Sequence, residues 1–301
     1  MALIKHYIQA ARLRTLPLSV SGIIMGSGIA ASENKFDVIV FILSILTTIG
    51  FQVLSNFAND YGDGIKGTDD DRVGEQRLIA AGLITPVQMK KAMILTSVIT
   101  MLITFLLVYS AFGSDDFLKS IVFLGLGILS IYAAIKYTVG KSAYGYSGFG
   151  DVFVFLFFGL VSVIGSYYLY THTIFSWTIL LPASAIGFLS VAVLNLNNMR
   201  DQIQDKKANK NTLVVKMGTQ KAKVYHFCLI IGALFLLLGY RFSIASLTFW
   251  HWLFLFAFIP LTLNLVVVFK NIIFKELDNE LKKVALGTFF CTLLYCIPYF
   301  L

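Results

Sequence analysis

Nine separate stretches of this chain are apolar over about the length that crosses a bilayer, and no other feature constrains the fold so strongly. A spanning helix takes about 20 predominantly apolar residues. Runs of this kind cover approximately 15–31, 38–58, 92–112, 117–135, 152–170, 174–194, 225–240, 247–269 and 284–301, the seventh being the shortest. They are apolar on every face, whereas the strands of a membrane barrel alternate apolar and polar residues. The expectation is an all-α, polytopic membrane protein with nine transmembrane helices. Composition agrees, since 57% of the 301 residues are hydrophobic and only 13% are charged, well outside the range of water-soluble domains.

The placement of Lys and Arg sets the orientation. With the N-terminus in the cytoplasm, 21 of the 24 fall on inner segments, and only Lys35, Lys119 and Arg241 lie outside. Cytoplasmic loops carry this excess in helical membrane proteins, so an N-in, C-out topology in the cell inner (plasma) membrane is expected. The same loops, facing anionic lipid, account for the net charge of +8. No basic stretch is interleaved with aromatics, so no nucleic-acid partner is expected. Arg12 and Arg14 before the first apolar run also suit a cleaved signal peptide, but the run is long for one, and a retained helix is the expectation. Cys228, Cys291 and Cys296 lack CxxC spacing and are expected to serve packing.

Two connections are long and polar, roughly 59–91 and 195–224. The first motif reads NFANDYGDGIKGTDDDR from Asn56, the second NLNNMRDQIQDKKANKNTL from Asn195. Each opens with asparagines at the end of a span, continues with spaced aspartates and then offers cations. Their leading aspartates, Asp60 and Asp201, follow the second and sixth spans. This predicts one domain over 1–301, built from four-helix pseudo-repeats of about 12–140 and 150–270 with a ninth helix appended.

Carboxylates at the edge of a membrane are costly unless paired with a metal or a cation. Asp60 and Asp63 are three residues apart and Asp201 and Asp205 four apart, so each pair shares a helical face if the helices continue past the bilayer. Mg²⁺ is usually held by one or two carboxylates together with substrate phosphates. Two such pairs suit a substrate with two phosphates, the metal neutralising charge on the departing oxygen. Asp69 is a further candidate ligand, while Asp70 and Asp71 suit a solvated turn. Gly62, Gly64 and Gly67 permit close approach to phosphate or a tight turn, the turn being the simpler expectation. Arg77, Lys141, Arg200 and Lys210 are placed to contact a diphosphate. A cation transporter would instead carry its carboxylates near mid-span, where this sequence is almost free of charge.

The NDxxD at Asn59, Asp60 and Asp63, the DxxxD at Asp201 and Asp205, and the nine spans together resemble the UbiA-type superfamily of intramembrane aromatic prenyltransferases. Within it, RLRTLPLSVSGIIMGSGIA from Arg12, NDYGDGIKGTDDDR from Asn59, YGYSGFGDVFVFLFFG from Tyr144 and RDQIQDKKANKNTLVVKMG from Arg200 resemble the 1,4-dihydroxy-2-naphthoate polyprenyltransferase branch (MenA-type). The resemblance implies a UbiA-like helical bundle with a lateral opening for a lipid tail and Mg²⁺ bridging both aspartate clusters to a polyprenyl diphosphate. It further implies an allylic cation captured by 1,4-dihydroxy-2-naphthoate, whose carboxylate leaves as CO₂ to give demethylmenaquinone. Members that use 4-hydroxybenzoate or haem are the alternative. The superfamily's YxxxK motif fits Tyr137 with Lys141, and by spacing also Tyr132 with Lys136. The former pair lies nearer the loop. Many members extend the first motif to NDxxDxxxD, where this chain has Gly67, and Asp69 is the nearest substitute. Asn56, Asn59, Asn198 and Arg14, lying in these motifs, complete the candidate substrate-binding set.

An allylic cation needs a dry site with aromatic walls. The chain holds 27 Phe and 14 Tyr, and its VFVFLFF run at 152–158 is expected chiefly to face lipid or pack. Asp151, beside that run, is a candidate for orienting acceptor hydroxyls or for capping a helix.

Overall fold

A computed structural model describes residues 3–66, 77–114, 116–140, 143–173, 177–244 and 247–301. The described residues form twelve α-helices: α1 (Ile4–Ala11), α2 (Leu16–Ser32), α3 (Val38–Lys66), α4 (Pro86–Phe112), α5 (Phe117–Lys136), α6 (Gly150–Val154), α7 (Ser162–Thr171), α8 (Leu180–Lys207), α9 (Leu213–Met217), α10 (Thr219–Phe242), α11 (Leu255–Lys270) and α12 (Leu277–Cys296). A π-helical segment, Phe155–Val161, joins α6 to α7 without a break. Among the described residues, nine helical stretches are long and apolar enough to span a membrane. The protein is thus an integral, multi-pass membrane protein, as the apolar runs predict.

Helices rule because hydrocarbon offers backbone amides no partner outside their own segment. α3, α4 and α5 pack side by side, and α8, α10, α11 and α12 form a second group. α2 lies between them, in contact with α3, α7 and α12. The largest core gathers residues from α2, α7, α8, α10, α11 and α12 around Met25, Leu189, Leu237 and Leu261. α1 precedes the first expected span and lies on α3, with Tyr7 edge-on to Phe57.

The helices do continue into the polar connections, α3 to Lys66 and α8 to Lys207, with α9 and α10 occupying most of the rest of the second connection. Charge alone does not end a helix once it has left the hydrocarbon, and the aspartates therefore ride on helices. Two expectations are corrected. Gly62 and Gly64 form no turn. They lie within α3, where a Cβ would collide with Thr138 and Ile79 respectively, so their smallness lets neighbouring segments approach. Arg241 is not an outer-loop charge: it is fully buried, donates to the Tyr295 carbonyl and the Tyr299 hydroxyl, and lies 3.6 Å from the Tyr295 ring centroid. It neutralises the carbonyl ends of α10 and α12 at once.

Small residues bring α2 against α7. A Cβ on Gly22 or Gly26 would strike Ser162 or Ser166 and the carbonyls of Phe158 or Val163. Overpacking such a contact costs about 1–3 kcal/mol. Gly26→Leu is therefore expected to lower the thermal unfolding midpoint in detergent, and a midpoint equal to the parent's would contradict this packing.

Candidate active site

The motif aspartates are buried where α3 and α8 leave the apolar layer, with Asp60, Asp63, Asp201 and Asp205 all less than a tenth exposed. Each has its charge answered differently. Asp60 accepts from the Leu78 and Ile79 amides at 3.0 and 3.1 Å, tying the start of the 77–84 segment to α3. Asp63 accepts from Arg77 Nη2 at 2.8 Å and from the Tyr146 hydroxyl at 2.6 Å. Asp201 is gripped by the neighbouring Arg200 through Nε and Nη2 at 2.7 and 2.8 Å. Asp205 lies 3.5 Å from Lys210 Nζ.

Tyr146 joins the two motifs. Its hydroxyl holds Asp63, while its ring faces Lys66 Nζ at 3.8 Å and Lys210 Nζ at 5.4 Å from the centroid. Lys210 in turn reaches Asp205, and the Asn211 amide donates to the Tyr146 carbonyl at 2.9 Å. The two motifs are thereby linked through one phenol, itself 83 positions from Asp63, with cation–π attraction on the ring face. Tyr146, Lys66 and Asp278 escape the motif reading. Tyr146 stands in the quoted YGYSGFGD stretch, and its spacing from neither cluster signals a role. Asp278 opens α12 and binds Arg200 at 2.6 Å, Lys282 at 3.1 Å and Arg14 at 3.5 Å, so it anchors the cations beside the second motif.

An apolar cavity of about 370 Å³ reaches this end of α3 at Asn59, the neighbour of Asp60. Its walls differ. One side is a stripe on α3, Ser44, Thr47, Thr48, Gln52, Ser55, Asn56 and Asn59, whose spacing repeats every three to four residues and so marks one helical face. Gln52 and Asn56 donate to Thr15 Oγ1, and Asn56 also to the Ala11 carbonyl at 2.8 Å. The opposite side is aromatic: Tyr144, Phe153, Phe157 and Phe158, with Tyr144 and Phe153 stacked at 3.9 Å. The VFVFLFF run is therefore divided rather than wholly lipid-facing or packed. Val152 and Leu156 are exposed, Phe155 packs on Phe188, and three phenylalanines line the cavity. The π segment widens the helix and carries these rings to one side.

Of the two YxxxK tyrosines, Tyr137 lines the cavity, whereas Tyr132 is 60% exposed with Lys136 near its ring. Burial pushes the Tyr137 phenol well above its ordinary range, and the Asp151 charge adds to this, so it stays a neutral donor. Asp151 is buried beside Tyr225 and is not among the residues of the cavity wall. Asn198 is buried on α8. Lys141 and Asp69 lie outside the described residues.

Among the described residues no three His, Cys, Asp or Glu side chains form a ready-made metal cage. Mg²⁺ does not demand one, because it completes its shell with water and substrate phosphates. The donors fit it: all are hard carboxylate oxygens, and Asn59 Oδ1, next to Asp60, is buried without a partner while Asn59 faces the cavity.

Buried carboxylates and cations beside one end of an aromatic-walled cavity, inside a bundle of membrane-spanning helices, are the features of a membrane-embedded enzyme. Residues 19–294 match the UbiA prenyltransferase family, and the chain belongs to that family. It is 42% identical to the 1,4-dihydroxy-2-naphthoate octaprenyltransferase of Escherichia coli (strain K12), over 98% of this chain and 95% of that one. Identity to the Haemophilus influenzae protein of the same name is 41%, with the same coverage. A UbiA homolog from Archaeoglobus fulgidus, solved bound to GPP and Mg²⁺, shares the fold at a TM-score of 0.62 and 14% identity, over 95% of this chain and 99% of that one.

Hydrogen bonds to a carboxylate are worth about 1.5–3 kcal/mol. Asp60→Asn offers an amide in place of one acceptor oxygen, so exchange of the Leu78 and Ile79 amides is expected to quicken roughly tenfold to a hundredfold in hydrogen–deuterium exchange. Unchanged protection would remove Asp60 from its anchoring role.

Proposed function

We propose that this protein transfers a polyprenyl chain from polyprenyl diphosphate to 1,4-dihydroxy-2-naphthoate, releasing diphosphate and CO₂, on the menaquinone route. The observation that carries this reading is the junction at Tyr146, which joins the Asp63 and Asp205 sides on the helix end where Asn59 enters the apolar cavity. Such an arrangement suits a substrate with an anionic head and a long apolar tail. The bacterial relatives, named as octaprenyltransferases of that acceptor and matching nearly end to end, support the choice of acceptor.

Asp60, Asp63, Asp201 and Asp205, with Asn59 beside them and Asp69 as a further candidate, would hold Mg²⁺. When bound, the metal neutralises charge on the diphosphate leaving group. Arg77, Lys210, Arg200 and Lys141 bind the diphosphate oxygens by charge-assisted hydrogen bonds, with Arg14 and Asn198 beside them. The C1–O bond of the donor breaks with its electron pair going to the diphosphate. Tyr144, Phe153, Phe157 and Phe158 present ring faces to the allylic cation and keep water from it. The acceptor lies against the polar stripe of α3, where Gln52, Asn56 and Asn59 can take its hydroxyls. Its carboxylate-bearing carbon bonds to C1, and loss of that carboxylate as CO₂ returns the bonding pair to the ring. The product ring is left in its dihydroxy form, the quinol of demethylmenaquinone, so this step needs no oxidant and the quinone itself arises only by a separate two-electron oxidation. Tyr137, neutral and half-buried, is a positioning donor at the cavity's inner end.

The distribution of Lys and Arg supports a cytoplasmic N-terminus and an active site facing the cytoplasm from the inner membrane. Matching sites for the two motifs, at the ends of α3 and α8, support a single domain over 1–301 made of two four-helix units plus α12.

The test uses the purified protein with octaprenyl diphosphate and carboxyl-labelled 1,4-dihydroxy-2-naphthoate. Prenylated product and labelled CO₂ are expected in equal amounts, abolished by EDTA and restored by Mg²⁺. Asp63→Ala and Asp205→Ala are expected to lose at least a hundredfold in kcat, a loss of about 3 kcal/mol of transition-state stabilisation, while remaining folded. Lys141→Ala is expected mainly to raise KM for the donor. Prenylation of 4-hydroxybenzoate without that of the naphthoate would overturn the assignment of the acceptor, and turnover unaffected by EDTA would overturn the metal.

A further inference from the structure

A second cavity of about 600 Å³ lies between α5 and the π segment with α7, towards the end of the bundle that holds Lys119 and Tyr168. It shares Phe123, Leu126, Val161 and Gly165 with the inner cavity, so the two are sections of one passage. At the inner end the gap between α5 and α6 is closed by Tyr144, which donates to the Ala133 carbonyl at 2.7 Å and stacks on Phe153. At the other end it is closed by Phe123 stacked on Tyr168 at 5.6 Å. Between these two pillars the passage turns outward at the four shared residues.

Three of the four put side chains into the junction, and the fourth puts none. Glycine in a helix interior is destabilising relative to alanine, and a reason for it is usually found in packing or in backbone conformation. Neither applies at Gly165. Its φ is not positive, and a Cβ built there meets no atom within 4 Å. On the same helical stretch Gly159, like Gly22 and Gly26 opposite, sits hard against a neighbour. What the missing side chain leaves open is the passage itself.

We propose that Gly165 is the specificity-determining residue for donor length: its bare backbone lets the distal isoprene units of a long polyprenyl diphosphate pass from the inner cavity into the outer one. The occupant is the tail of the same donor whose head lies at the aspartates, so this inference rests on the prenyltransferase reading and deepens it. A short tail ends inside the inner cavity and does not reach the junction. A long one has to cross it. Because space at position 165 is free, a larger side chain there fills the junction without displacing a helix.

The experiment compares Gly165→Ala, Gly165→Leu and Gly165→Phe in the full-length protein, measuring kcat/KM for geranyl and for octaprenyl diphosphate with the same acceptor. The ratio of octaprenyl to geranyl kcat/KM is expected to fall in the order Ala, Leu, Phe, by at least tenfold for Phe. Leu126→Trp, which fills the junction from α5, is expected to lower the ratio in the same sense and guards against a folding fault peculiar to position 165. A ratio that stays constant across both positions overturns the proposal, whether the individual rates hold or fall together. Activity of the parent protein with each donor reports separately on the prenyltransferase reading, so failure of that reading and failure of the junction are distinguishable.

Discussion

A carboxylate at the boundary of a hydrocarbon layer must have its charge answered, and four of them set at the ends of two helices determine much of what surrounds them. Asp60 is answered by two backbone amides, Asp63 by Arg77 and a phenol, Asp201 by a two-pronged arginine, and Asp205 by a lysine. Each answer recruits a different segment: 77–79, the 144–149 turn, α12 through Asp278, and the stretch after α8. The described segments 77–79 and 144–149 and the stretch after α8 are drawn to the site because the aspartates require partners. The arginines and lysines recruited here are also the groups that a diphosphate recognises, so holding the carboxylates and preparing an anion site are one arrangement.

The cavity beside that site follows from helix geometry. α3 contributes a polar stripe of small hydroxyl and amide side chains, and the opposing wall is aromatic because Phe153 of α6 and Phe157 and Phe158 of the π segment face one side of the fifth span. A π turn leaves carbonyls less regularly matched than an α-helix does, and here it is buttressed from behind by Gly159 lying on α8. Polar and apolar ligands therefore share one space, each with a matching wall.

Elsewhere the charges serve the bundle. Lys223 donates to the carbonyls of Phe269 and Asn271 at the end of α11, and Arg241 does the same for α12 at the other end of the bundle. His226, Asn264 and Glu280 link α10, α11 and α12 by hydrogen bonds at 2.8 Å. Such groups satisfy helix ends and inter-helix contacts in a medium without water.

The amino-acid sequence by itself determined the spans, because hydrophobic run length is a one-dimensional property that bilayer thickness reads directly. It also marked the two aspartate motifs, because charge at the end of an apolar run is conspicuous along the chain. Tertiary structure alone decided which residues complete the site. Tyr146 matters through a ring face turned to Lys66 and Lys210, and Asp278 through a helix that packs beside residues more than 260 positions earlier. Neither relation leaves a spacing to detect. The same holds for the glycines: Gly62 in α3 is small because Thr138 lies against it, while nothing lies against Gly165. Sequence shows a missing side chain, but only the packed neighbours show whether that absence admits another helix or an open passage.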